Sequence, residues 1–201
     1  MNYKLSIAYD GTNFCGWQSQ KKERTIQKSI ENAINAIFLN KNIKLIGSGR
    51  TDAGVHAINQ TANFTVATSS MSIEQIKLAI NSKLKNDIYI KDCQIVADNF
   101  NSRYSAKKRE YIYNISTDFY LFNRKYSWYI KNKLKQNKLR DCSEIIIGKH
   151  DFRNFCKVSS LKENNFCEIY KSKWIFSKNE IRYIIVSNRF LHHMVRMLVG
   201  T

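Results

Sequence analysis

The densest chemistry in the chain lies in Gly47-Ser48-Gly49-Arg50-Thr51-Asp52-Ala53-Gly54-Val55-His56. Three glycines in eight residues let backbone approach closely and permit positive φ. At the centre sit a guanidinium, a hydroxyl, a carboxylate and an imidazole. The run follows a strand pattern but opens no helix, and it lacks the Gly-Lys-Ser/Thr of a nucleotide phosphate loop. Two readings fit the spacing: a tight turn capped by Asp52, or an active site centred on the Asp52 carboxylate. A second constellation lies on the last helical pattern. There Arg189, His193, Arg196 and Gly200 recur at i, i+4, i+7 and i+11, opposite an apolar face, and His192 lies four residues before Arg196. Neighbouring helical residues point about 100° apart, so His192 and His193 are not expected to share a metal ion. Arg196, between Met194-Val195 and Met197-Leu198, is expected to be partly buried and to want a carboxylate, for which Asp52 is the candidate. The third constellation is Tyr111 with Tyr113, two rings on one side of a strand. No Ser-His-Asp arrangement stands out, and no cysteine adjoins a histidine.

Charge points to the partner. The 201 residues carry 33 Lys+Arg against 16 Asp+Glu, a formal charge of +17. Between Arg103 and Arg140 lie eleven basic residues, opposed by Glu110 and Asp118. Tyr104, Tyr111, Tyr113, Tyr126, Trp128 and Tyr129 are interleaved with them. Cations suit phosphates and flat rings suit unstacked bases, so the stretch reads equally as an RNA surface or as a merely solvated lysine-rich face. Membrane binding is not expected, because no apolar run approaches the ~20 residues needed to span a bilayer. Met1-Asn2-Tyr3-Lys4-Leu5 leads straight into a strand pattern and does not read as a signal peptide. The five scattered cysteines, with no Cys-x-x-Cys, read as reduced thiols of a cytoplasmic protein. The absence of proline leaves turns to Asn, Asp, Ser and Lys.

These groups need a scaffold, and hydrophobic periodicity supplies one. Tyr3–Tyr9 reads as a strand closed by Asp10-Gly11-Thr12-Asn13. Ile26, Ile30, Ala33, Ile34, Ile37 and Phe38 form one helical face after Thr25 as N-cap. Ile43–Ser48 and Ala62–Val66 read as strands. A helix from Ser72, with Gln75 completing a capping box, carries Ile73, Ile76, Ile80 and Leu84. Ile88–Ala97 is a further strand. The order β-α-β-β-α-β is the split βαβ pattern of ferredoxin-like and RNA-recognition sheets. The second half reads β-α-β-β-α. Its elements are a strand at Arg109–Ser116, a helix around Leu139–Ile147, a hairpin of Ser172–Ser177 with Ile181–Ser187, and a helix from near Phe190. In the first of these helices Leu139, Cys142, Ile145 and Ile146 are expected inward.

Five motifs in order resemble the TruA-type tRNA pseudouridine synthase family over nearly the whole chain. They are Tyr9-Asp10-Gly11-Thr12-Asn13-Phe14-Cys15-Gly16-Trp17-Gln18, then Gly49 to Ala57 with Gln60, then Phe100 to Ala106 with Arg109-Glu110-Tyr111-Ile112-Tyr113. Asp151-Phe152-Arg153-Asn154-Phe155 and Phe190 to Gly200 complete the set. The resemblance implies isomerisation of uridine to pseudouridine at tRNA positions 38, 39 and 40, in the anticodon arm, without cofactor or metal. It implies Asp52 as nucleophile, with Tyr111 and Arg196 as its catalytic companions. It also implies Arg50, His56, Gln60, Tyr111, Arg103, Arg109 and His193 as residues that bind the RNA. A homodimer is implied as well.

The fold expected is α+β: two ferredoxin-like α/β units with mainly antiparallel sheets, 1–101 and 102–201, and an active-site cleft between them. Two departures from the family pattern stand out. Where the family has Leu-Pro before Asp-Ile, this chain reads Leu84-Lys85-Asn86-Asp87-Ile88, and a rigid turn is expected to be lost. The family also continues past Val199-Gly200, so the second unit is expected to lack its last helix and strand. The competing expectation is a catalytically impaired, shortened homologue that only binds tRNA.

Overall fold

Ile26, Ile30, Ala33 and Ile34 repeat at the helical period, and all four are buried on one face of α1 (Ile26–Ile37). A computed structural model describes residues 1–40 and 42–201. It is a mixed α/β fold whose strands pair almost wholly antiparallel, arranged in two compact units, Met1–Ala106 and Lys107–Thr201.

In the first unit α1 follows β1 (Asn2–Tyr9), and β2 (Ile46–Gly47), β3 (Ala57–Thr65), α2 (Ile73–Lys83) and β4 (Ile88–Val96) come after it. The sheet order is β2-β3-β1-β4, all antiparallel. Each helical crossover thus skips one strand, as in a split βαβ. Alternation along β1 sends Tyr3, Leu5, Ile7 and Tyr9 into the core, where Ile30, Ile34, Phe64, Ile76, Ile80 and Ile90 meet them. The capping box of α2 forms as its residues predict: Gln75 N–H donates to Ser72 Oγ at 3.2 Å, and Ser72 N–H donates to Gln75 Oε1 at 2.8 Å.

Four local expectations for this unit are met only in part. Thr25 occupies the N-cap position of α1, yet its hydroxyl makes no cap bond, and Thr25 Oγ1 is buried without a hydrogen-bond partner. The strand expected over Ile43–Ser48 shrinks to Ile46–Gly47. Polar side chains of α1 take the main chain of the preceding residues instead. Asn35 Oδ1 accepts Ile43 N–H at 3.0 Å, the buried Glu31 Oε1 accepts Leu45 N–H at 3.0 Å, and Gln27 Nε2 donates to Leu45 O at 3.0 Å. The strand expected from Ala62 begins earlier, at Ala57, paired with β1. The turn before Asp87, expected to lose rigidity with its proline, is tied by hydrogen bonds and an ion pair. Ile88 N–H donates to Lys85 O at 3.1 Å, and the Asp87 carboxylate receives both Arg24 guanidinium nitrogens, at 2.7 and 2.9 Å.

The segment after β4 stays with the first unit as a short helix, α3 (Ser102–Ser105). Ser102 N–H donates to the buried Asn63 Oδ1 at 2.8 Å, and Asn63 Nδ2 donates to Asn2 Oδ1 at 3.0 Å. A polar group buried without a partner costs more than one that is paired, so these asparagines fix the path of the chain.

The second unit is built on β5 (Arg109–Ser116), β6 (Trp128–Tyr129), α4 (Gln136–Ile145), β7 (Gly148–Asp151), β8 (Phe166–Phe176), β9 (Glu180–Ser187) and α5 (Met194–Gly200). Its sheet order is β6-β5-β9-β8-β7, antiparallel except for β5–β6. Ile115, Phe152, Ile169, Trp174, Ile181, Tyr183, Ile185 and Met194 form its core. The edge strands β6 and β7 escape the periodicity reading, since two or four residues show no alternation. On α4 the inward face is Leu139, Ser143 and Ile146; Cys142 and Ile145 are exposed, Ile145 at 73%. The true stripe passes through a serine, which an apolar pattern does not register. Among the described residues no helix is long and apolar enough to cross a membrane.

Candidate active site

The loop bearing Asp52 is held by the residues that begin the chain. Asp10 Oδ1 accepts Thr12 N–H at 2.9 Å and caps a single 3-10 turn, Gly11–Asn13. Trp17 N–H then donates to Thr51 O at 3.0 Å, and Gly54 N–H donates to Phe14 O at 3.3 Å. The Tyr9 and Thr51 hydroxyls share a hydrogen bond of 2.9 Å. Gly11 N–H donates to His56 Nδ1 at 3.2 Å, and the same nitrogen lies 3.1 Å from Asp10 Oδ1. It accepts from Gly11 when unprotonated and donates to Asp10 when protonated, so either state holds His56 against the first turn.

Glycines make this contact possible. A Cβ on Gly11 would lie 2.0 Å from Val55 O, one on Gly16 2.7 Å from Thr51 O, and one on Gly47 2.6 Å from the Trp17 ring. Gly16 also sits at φ +86°, in the left-handed region. Loop and turn are therefore one interlocked body, and the two sequence motifs are its halves.

Within it the predicted residues fall as follows. Asp52 is half-buried, and its main-chain carbonyl accepts Val55 N–H at 3.2 Å, so the turn closes through the backbone rather than requiring the carboxylate. Arg50 is exposed. Gln60, expected to bind substrate, uses both ends of its amide to close the loop. It accepts from Ser48 Oγ at 2.7 Å and donates to Gly49 O at 2.9 Å. Arg103 is exposed on α3, beside Tyr104.

The second unit assembles its own set. Tyr111 on β5 is half-buried, and its ring packs edge-on against Phe190 at 5.0 Å. Arg109, at the start of the same strand, donates from Nη1 to Asn188 O at 2.6 Å. β5 and the segment leading into α5 are thereby joined. That segment is not helical where expected. α5 starts at Met194, and His193 before it adopts φ +66°. Arg189 therefore stands outside the helix and does not share a face with His193, Arg196 and Gly200. The two imidazoles do not diverge by a helical step either; their ring centres lie 4.2 Å apart. Ser160 Oγ is 2.8 Å from His192 Nδ1, and Lys157 N–H donates to His192 O at 3.0 Å, contacts with no signal in the sequence. Arg196 is exposed on α5 rather than wedged among apolar side chains. In the fourth motif Phe152 is buried, and Arg153 Nε donates to Asp151 Oδ2 at 2.8 Å, which holds that carboxyl below its usual range.

Comparison with known proteins sets these loops in context. A family model described as tRNA pseudouridine synthase matches residues 5–105 and 143–201. A tRNA pseudouridine synthase A of Dictyoglomus thermophilum is 41% identical over 204 residues, covering 100% of this chain and 82% of that protein. One of Brachyspira hyodysenteriae is 41% identical, covering 100% of the chain and 81% of the relative. A tRNA pseudouridine synthase A 2 of Bacillus cereus is 38% identical over 99% of the chain and 82% of its own length. The interlocked Asp52 loop and the β5–α5 set both lie within the matched residues, apart from β5 itself, and the chain belongs to the tRNA pseudouridine synthase family.

Proposed function

We propose that the protein isomerises uridine to pseudouridine in the anticodon arm of tRNA, at positions 38, 39 and 40, with the Asp52 carboxylate as the reacting group. The reaction breaks the N1–C1′ bond, turns the uracil, and joins C5 to C1′. The proton on C5 is released and N1 gains one, so atoms and charge balance. A carboxylate facing a sugar that develops positive charge follows the logic of glycosidases. The observation that carries this reading is the cradle around Asp52. Four hydrogen bonds hold its loop against the opening turn, and Asp52 stays half-buried. Such rigidity is what a positioned catalytic group requires.

The other residues take roles suited to their settings. A uridine within a stem must leave the stack to react. Tyr111, fixed against Phe190, offers a ring to the extruded base and a phenol for the C5 proton. Arg50, Arg103 and Arg196 are exposed guanidiniums for phosphate. Arg109, His56 and Gln60 hold the elements that carry these groups, and His193 stands at the entry to α5. The protein acts as a cytoplasmic homodimer.

The test is tritium release from tRNA labelled at uracil C5. Wild type is expected to release tritium, whereas Asp52→Asn is expected to bind tRNA and release none. If wild type binds tRNA and releases nothing, the protein is a tRNA binder and the isomerase reading is lost.

A further inference from the structure

We propose that Thr117–Lys135 of the second unit is a docking surface for unpaired nucleotides of the substrate RNA, its rings taking bases and its cations taking phosphates. The inference rests on tRNA being the substrate and adds a contact surface to that reading. The family model skips this stretch, matching up to residue 105 and again from 143. Like β5, the stretch lies outside those two segments.

What it displays is aromatic. Phe122 is 78% exposed, Phe119 64% and Tyr120 62%, with Trp128 and Tyr129 also exposed. Isolated exposed apolar side chains are ordinary, but a run of them marks a contact surface. The rings meet edge-on: Phe119 with Tyr129 at 5.7 Å and Tyr120 with Phe122 at 5.9 Å. Edge-on contact leaves a face of each pair open for stacking.

The backbone beneath is tied down. Thr117 N–H donates to Asn179 O at 3.0 Å, Ile130 N–H to Ser116 O at 2.9 Å, and Arg124 Nη1 to Leu121 O at 2.7 Å. Ser116 Oγ also donates to Asp118 O. The rings are thus presented on a fixed support, which lowers the ordering cost of binding.

Charge selects the occupant. The stretch holds Arg124, Lys125, Lys131, Lys133 and Lys135 against Asp118 alone. A second copy of the chain would meet this patch with the same patch across a two-fold axis, cation against cation. RNA meets it with phosphates and with bases whose faces stack on any aromatic ring.

The experiment follows binding of a fluorescent single-stranded 12-mer of oligouridylate to the full chain at several salt concentrations. Phe122→Ala is expected to weaken binding about tenfold, the scale of one lost base–ring stack. Lys131→Gln with Lys133→Gln is expected to flatten the log–log salt slope by about 1.4, at roughly 0.7 per phosphate contact on a single strand. Both variants alter exposed side chains, and unchanged melting temperatures check their folding. Unchanged affinity and slope would overturn the proposal. So would dissociation of a Phe122→Ala dimer into monomers with oligonucleotide binding intact, which would assign the patch to a second copy. Tritium release from tRNA is measured separately. Loss of the isomerase reading would show there with the 12-mer still bound.

Discussion

Gly16 shows how much of the site depends on atoms that are not there. Its φ of +86° alone would cost an alanine roughly 1–2 kcal/mol, the ordinary penalty of the left-handed region. Its missing Cβ would also stand 2.7 Å from the carbonyl oxygen of Thr51, the residue before Asp52. Gly54 is the natural control. It has φ +78°, but nothing lies within 4 Å of where its Cβ would be. Gly54→Ala is therefore expected to lower stability by about 1–2 kcal/mol and to leave the Asp52 loop in place. Gly16→Ala is expected to cost more and to lower tritium release beyond what the stability loss explains, because Thr51 must move. Urea unfolding read beside single-turnover release separates the two effects. If the two alanine variants behave alike, the close approach at Gly16 does not position the loop.

At the scale of elements, helices and long strands were the most legible, because burial on one face leaves a period in the residue types. α1, the capping box of α2, β1, β5 and β9 all stand where that period put them. The reading failed where polar side chains replace a regular ladder. Asn35 and Glu31 take the main chain of Ile43 and Leu45 from a neighbouring strand, and His193 in the left-handed region delays α5. The Asp52 loop was legible as a cluster of chemistry. Its interlock with the opening turn was not, since Tyr9–Thr51 and Trp17–Thr51 join residues far apart in the chain. The link from Arg24 to Asp87 was likewise hidden, and it has a testable consequence. Asp87 O accepts Asp10 N–H at 3.0 Å, while its carboxylate grips Arg24, whose guanidinium lies 4.0 Å over the Phe14 ring. The ion pair thus clamps the turn before β4 to the start of the site. A double-mutant cycle of Arg24→Gln and Asp87→Asn is expected to give a coupling of about 1 kcal/mol, since the pair is bidentate but roughly a third open to water. Coupling near zero would mean that the backbone bonds alone hold the turn.

At the scale of the whole molecule, the two units carry unequal cores, and their cysteines can report on each. Among the described residues the first core gathers twenty buried apolar side chains and the second nine. Burial of apolar surface is the main stabilising contribution, so the second unit is expected to open at lower denaturant. Cys93 lies in the first core and Cys167 in the second, and Cys156 is also buried in the second unit. Burial pushes the Cys93 and Cys167 thiols up to about 11 from an ordinary 9.0. Because folding raises these values, the stability linked to them is intact below pH 9 and lost as pH climbs through 11. Near pH 8 both thiols are shielded and protonated, and unfolding restores ordinary reactivity. Cys15 and Cys142 are exposed. The Glu23 carboxylate accepts the Cys15 thiol at 3.4 Å and raises its pKa, so Cys142 is expected to react first in the native protein. Pulsed alkylation along a urea series, read by mass spectrometry, is then expected to label Cys142 and Cys15 at zero urea, Cys156 and Cys167 at an intermediate concentration, and Cys93 last. Simultaneous labelling of Cys93 and Cys167 would show that the two cores unfold as one. Earlier labelling of Cys93 would show that core size does not set the order.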